Sequence, residues 1–216
     1  MPAKSTSVWL PRVLFESALI TVSILLALGL DEWREDRQDE EMIEQAMSNF
    51  LSEIRQNQAR VEDAAPFNRG LQNVLSNRYA DGDITSIAEF IGIVESYTPV
   101  VLQSTAWETA LATGSVSKMD YNLVSALSLT YGLQNRYQQT SRTGMSDLTS
   151  PQNLSADRLE LAIYNSVRYL GDVTAMETEL DVVYEEAELI IRDAWKTMKQ
   201  ATPSEVLTWA GMSEQP

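Results

Sequence analysis

Apolar positions along the chain follow one period almost throughout, and that period is helical. The first apolar block, Val13 to Leu30, is 18 residues long and broken only by Glu16, Ser17, Thr21 and Ser23. That length suffices to cross a bilayer as a helix. Beyond it, Ile43, Met47, Phe50, Ile54, Asn57, Val61 and Ala64 alternate spacings of four and three, a heptad seam interrupted by one asparagine. Carried backwards, the same register passes through Trp33 and Leu26, so anchor and stalk read as one helix, which Pro66 is expected to end or kink.

Shorter pieces follow. Phe67 to Tyr79 reads as a helix closed by the turn Asp81-Gly82-Asp83. Ser86 with Glu89, and again Thr105 with Glu108, have the spacing of capping boxes, so helices are expected from Ser86 to about Ser96 and from Thr105 to Gly114. Another helix is predicted from Met119 to about Gln138, then a polar loop over Thr140–Ser155. From Ala156 to Gln200 apolar residues recur at helical spacing (Ile163, Leu170, Val173, Leu180, Ala187), and only Gly171-Asp172 threatens continuity. The predicted fold is all-α: an N-terminal transmembrane helix continuing into a helical bundle with two long antiparallel helices and several short ones. Its parts are a short basic segment (1–12), the span (13–30), an α-helical domain (31–200) that includes an acidic stalk (31–65), and a C-terminal tail (201–216). In the tail, Val206, Leu207 and Trp209 are expected to pack back on the domain.

Details of the first block decide how it is read. Trp9 and Trp33 bracket it, separated by ~36 Å at ~1.5 Å per helical residue, a span that puts one ring in each interfacial belt. Glu16 lies about one turn inside, four residues after Arg12. Two readings stand: a pair that reaches together for the headgroups, or a polar contact between helices aided by Ser23 and Ala27. Ala27-Leu28-Gly29 also resembles a signal-peptidase site, but the apolar stretch is longer than a signal core and its pattern runs on through that site. An uncleaved anchor is the expectation. Lysine and arginine tie across the span, and the free amino terminus tips it to the inside, leaving the domain outside the cytoplasm.

Charge and composition then narrow the function. Of 16 basic and 31 acidic residues, only Lys4, Arg12 and Glu16 precede Asp31, so the domain is strongly acidic and ill suited to nucleic acid. Cysteine and histidine are both absent, which removes thiolate chemistry, histidine bases and the commonest transition-metal ligand. The seven carboxylates between Asp31 and Glu41 read as a solvated stalk face, with a divalent-cation patch as the alternative. Glu177, Asp181 and Glu185, spaced by four, likewise read as a solvated row. No catalytic signature and no cofactor motif stands out, and the chain is read as a non-enzyme. Trp107, Glu108, Lys118, Tyr121, Tyr131 and Tyr137 form the most distinctive soluble constellation: helical core, or a pocket with aromatic walls.

The segments "LLALGLDEWRED", "STAWETALATGSVSKMDY" and "YGLQNRY" together resemble an uncharacterised family of bacterial single-pass membrane proteins. The resemblance implies an inner-membrane protein with an N-terminal anchor and an α-helical soluble domain, and brings no activity with it. The expected partners are the lipid bilayer, a protein, and a second copy of the chain through the anchor and stalk. A small-ligand or cation sensor is the alternative function.

Overall fold

A computed structural model describes residues 9–148, 150 and 154–201. It contains five α-helices and, among the described residues, no strand: α1 (Trp9–Ala80), α2 (Ile87–Val94), α3 (Thr105–Thr113), α4 (Tyr121–Leu148) and α5 (Leu159–Ala201). Two 3-10 turns, Ser115–Lys118 and Ala156–Arg158, precede α4 and α5. The chain divides into two compact units, Met1–Glu44 and Gln45–Pro216, and the boundary falls inside α1.

In the first unit α1 is exposed from Val13 to Gln38. Its apolar window has a mean hydropathy of 2.2 with none of it buried, making it a candidate membrane span. Two hydroxyls within it are already satisfied: Thr21 Oγ1 donates to the Ser17 carbonyl (2.9 Å) and Ser23 Oγ to that of Leu19 (2.8 Å). Such back-bonding lets polar side chains sit in hydrocarbon without an unmade hydrogen bond. Ala27, Leu28 and Gly29 lie in unbroken helix. Trp33 is exposed, and in the acidic stretch Arg37 pairs with Glu40 at 3.6 Å. The side chains of Trp9 and Arg12, and hence the expected Arg12–Glu16 pair, lie outside the described residues.

In the second unit the stalk seam is a core stripe. Met47, Phe50, Ile54, Asn57 and Val61 are buried, and the stripe continues through Ala65, Asn68, Leu71 and Leu75. Pro66 does not end the helix. It stands on the exposed face of α1, while the buried residues on either side hold the helix together. The turn after Ala80 forms as expected, with Gly82 at φ 72° and Asp83 N–H donating to the Arg78 carbonyl (2.9 Å).

Contacts with α5 fall in residue number as those on α1 rise: Arg55 with Glu188, Gln58 with Asp181, Asn68 with Glu177, Gln72 with Thr174, Tyr79 with Glu160. The α4–α5 pairs, Arg136 with Glu179 and Tyr169 with the Ser141 carbonyl, run the same way. These stretches therefore pack antiparallel. Gly171 leaves α5 unbroken, and a Cβ there would meet Gln72 Nε2 at 3.1 Å, so the residue permits close approach to α1.

Two boundaries differ from the sequence reading. α4 continues through the predicted loop to Leu148, because Ser141 is buried and Gly144 lies against the Tyr169 ring. Packing overrides polar composition there. At its other end α4 starts two residues late, after Asp120, whose Oδ1 accepts the Asn122 N–H at 2.8 Å. The tail residues Val206, Leu207 and Trp209 lie outside the described residues.

Candidate functional site

The helical packing encloses polar side chains at the core stripe of α1, and two of them, Glu53 and Asn57, answer specific backbone needs. The capping box of α2 forms as its spacing predicts, Ser86 Oγ accepting from Glu89 N–H and Glu89 answering the Ser86 N–H. The second predicted box does not. The cap of α3 is Ser104, whose hydroxyl donates to Glu108 Oε1 (2.6 Å) and leaves the helix amides uncovered. Glu53, reaching over from α1, accepts the Ala106 N–H on Oε2 at 3.0 Å and the Tyr131 hydroxyl on Oε1 at 2.8 Å. A carboxylate from another helix thus does the work of an N-cap.

One turn on, Asn57, the asparagine that interrupts the seam, faces the loop before α3. Its Oδ1 accepts the Gln103 N–H (2.9 Å) and its Nδ2 donates to the Gln103 carbonyl (2.8 Å). The carbonyls of Val101 and Leu102 are met by Arg60 (3.0 Å) and Gln138 (3.1 Å). Gln134 adds a second donor to the Gln103 carbonyl at 3.0 Å.

Further along, Glu177 Oε1 accepts from Asn68 Nδ2 (2.6 Å) and from the Tyr137 hydroxyl (3.1 Å), while Oε2 is buried with no partner. Its carboxyl is pushed above the usual range by burial, against the pull of those two donors. This corrects the solvated-row reading. Glu177 is in the core, Asp181 is half-buried and accepts from Gln58 (3.0 Å), and only Glu185 is exposed. Burial also drives the hydroxyls of Tyr97, Tyr131, Tyr137 and Tyr184 well above the ordinary tyrosine range, so all four stay neutral, and that of Tyr184 is buried without a partner.

The aromatic constellation is partly gathered. Trp107 is half-buried and stacks on Tyr131 (centroids 5.6 Å apart, planes 13° from parallel), with Phe50 tilted against both. Trp107, Glu108 and Tyr131 share a shallow cleft of about 450 Å³ with Ser104, Gln134, Asn135 and Gln138. Tyr137 is fully buried and turned to Glu177 instead. Lys118 and Tyr121 are exposed, and neither lines that cleft; Tyr121 borders a different groove, about 680 Å³, between α4 and α5. Arg136 is taken up by Glu179 at 2.8 Å.

Sequence reasoning missed Glu53, Asn68, Tyr97, Gln134 and Tyr169, and misplaced Glu177. A signal existed for two of them. Glu53 lies three residues after Phe50 and four before Asn57, and Glu177 four after Val173 and three before Leu180, so both sit on their helix's core stripe. Among the described residues no three metal-ligating side chains converge. Neither a family model, nor a curated protein, nor a solved structure matches this chain. The arrangement therefore has to be read from its own chemistry: paired donors and acceptors that fix helices and a loop, beside one shallow aromatic cleft.

Proposed function

We propose that this chain is a single-pass membrane protein whose helical bundle, with two long antiparallel members, works through protein–protein contacts, as a scaffold, subunit or accessory factor of a membrane assembly. The observation that carries the reading is the apolar window of α1, exposed along its whole length at a mean hydropathy of 2.2. Such a surface needs lipid around it. A bacterial inner-membrane protein with its domain in the periplasm fits the family resemblance and the inside placement of the amino terminus. The acidic charge argues against nucleic acid, and most of the internal polar groups are spent on structure, which favours a non-enzyme. Exposed Tyr121, Leu129 and Leu189 are apolar contacts available to a partner.

The test has two arms in native membranes. Alkaline carbonate should leave the chain in the membrane fraction, and release into the supernatant would refute the anchor. A photo-crosslinking residue at Tyr121 or Leu189 should give discrete protein adducts. Adduct-free chain at both positions, alongside a working control, would refute the contact reading. A second reading, a small-ligand sensor, draws on the Trp107–Tyr131 stack at the edge of an open cleft. Saturable quenching of Trp107 by a ligand, lost in Trp107→Phe, would favour it.

A further inference from the structure

A second hollow lies away from the Trp107 cleft, among α1, α2, α5 and the end of α4. It holds about 100 Å³ and its wall includes Leu71, Ile91, Val94, Tyr97, Tyr169 and Leu170. The hydroxyls of the two tyrosines are occupied: Tyr169 donates to the Ser141 carbonyl at 3.2 Å, so its contact with Tyr97 (2.9 Å) is filled by the Tyr97 proton. Their rings meet edge to face, 5.7 Å between centroids. What this pair contributes to the wall is hydrocarbon. Ser166 Oγ, also in the lining, is turned back onto the Ala162 carbonyl at 2.8 Å.

We propose that this cavity is a binding site for one small uncharged apolar molecule, about the size of a benzene ring. The argument is physical. A polar cavity recruits water, whereas an apolar one of about 150 Å³ stays dry and takes up benzene or xenon. The present hollow is smaller but has the same kind of wall: the hydroxyls of Tyr97, Tyr169 and Ser166 are bonded internally, and Glu95, the one charged residue of the lining, is exposed at the end of α2. Wall atoms facing empty space lose their dispersion contacts, so an apolar guest that fits restores them and stabilises the fold. Leu71, Tyr169 and Leu170 are buried and fix one side, while Ile91 and Val94 on the short helix α2 are half-exposed and form the side through which a guest enters. The proposal does not depend on the protein-contact reading, and the two can fail separately.

The test uses the full chain in detergent with benzene, and with fluorobenzene as the NMR probe. Benzene should raise Tm saturably by about 2–4 °C, and its protons should show intermolecular NOEs to the methyls of Leu71 and Leu170. Val94→Phe fills the hollow from its half-exposed side and should abolish both effects. Ser166→Val does the same from α5 and replaces it if the first variant does not fold. Each variant in the same detergent also cancels whatever dissolves in the micelle. A fluorobenzene signal that broadens in the wild type and sharpens in the variant supports the site. Absence of saturation in the wild type, NOEs to other residues, or an equal Tm shift in a folded cavity-filled variant would overturn it.

Discussion

Asn57 and Gln103 exchange two hydrogen bonds, the side-chain amide of one serving both backbone groups of the other. A neighbouring strand would satisfy Gln103 in the same manner, but here the partner is a single helical side chain, and Asn57 is 0 % exposed. Alanine at position 57 leaves the Gln103 N–H without this partner in a part-buried setting and removes one of two donors from the carbonyl. Each unmade buried bond costs ~1–3 kcal/mol, so Asn57→Ala should lower stability by about 2–4 kcal/mol. Chemical denaturation in detergent measures it, and a loss under about 1 kcal/mol would show that water replaces the amide freely.

Glu177 makes stability depend on pH in the unusual direction for a carboxylate. Its folded-state pKa lies above the unfolded value because burial disfavours the charge. Between those two values the folded chain holds more protons than the unfolded one, so stability falls as pH rises through that window and is lowest above it. Glu177→Gln keeps an acceptor for Asn68 and Tyr137 and puts an amide where Oε2 has no partner. The variant should match or exceed the wild type at neutral pH and flatten the profile of Tm against pH. A wild-type profile that rises towards neutral pH through this group would mean that the carboxylate is ionised in the fold.

Gly144 is a contact residue on α4. A Cβ built there would land on the ring of Tyr169. The ring cannot yield cheaply, since its hydroxyl bonds both Tyr97 and the Ser141 carbonyl. Gly144→Ala should therefore destabilise by about 1–3 kcal/mol despite alanine's better helix propensity. Thermal unfolding followed by near-UV circular dichroism would report it, and a stabilised variant would show that α4 is free to move away from Tyr169.

Self-association through the anchor is testable because the chain has no cysteine. Single cysteines at Ser23 and Ala27 should give an oxidative dimer band in native membranes if the small-residue face of the span is a contact. Bands at neither position, with a control pair working, would leave the chain monomeric there.

The helices were legible in the sequence, because the 3.6-residue stripe governs α1, α4 and α5 and because Gly82 and Gly114 sit where left-handed turns end helices. What the pattern hid has physical causes. Pro66 looked like a stop, yet a proline on a solvent-facing edge costs a helix little that packing cannot offset. Residues 140–148 looked like a loop, since their helix is held by Tyr169, more than 20 positions away. Polarity misled most at Glu53 and Glu177. A buried carboxylate is betrayed only by the donors gathered around it, and those come from α3 and α4 for Glu53, and from α1 and α4 for Glu177. Of the aromatic constellation, spacing along one helix grouped Tyr121 with Tyr131 and Tyr137, although at about 100° per residue it lies about 80° round the helix from Tyr131 and about 160° from Tyr137, in solvent where the others are inside.

The segment leading into α3 has no regular secondary structure, yet its carbonyls from Val101 to Gln103 are each held by a side chain of α1 or α4. Amide protons in such a stretch would ordinarily exchange with deuterated solvent through small local openings. The Gln103 proton is held instead by the side chain of Asn57, which is fully buried on α1. Its exchange should therefore be as slow as that of the most protected helical amides, so that a stretch which looks like a connector on a ribbon diagram unfolds only when the whole domain does.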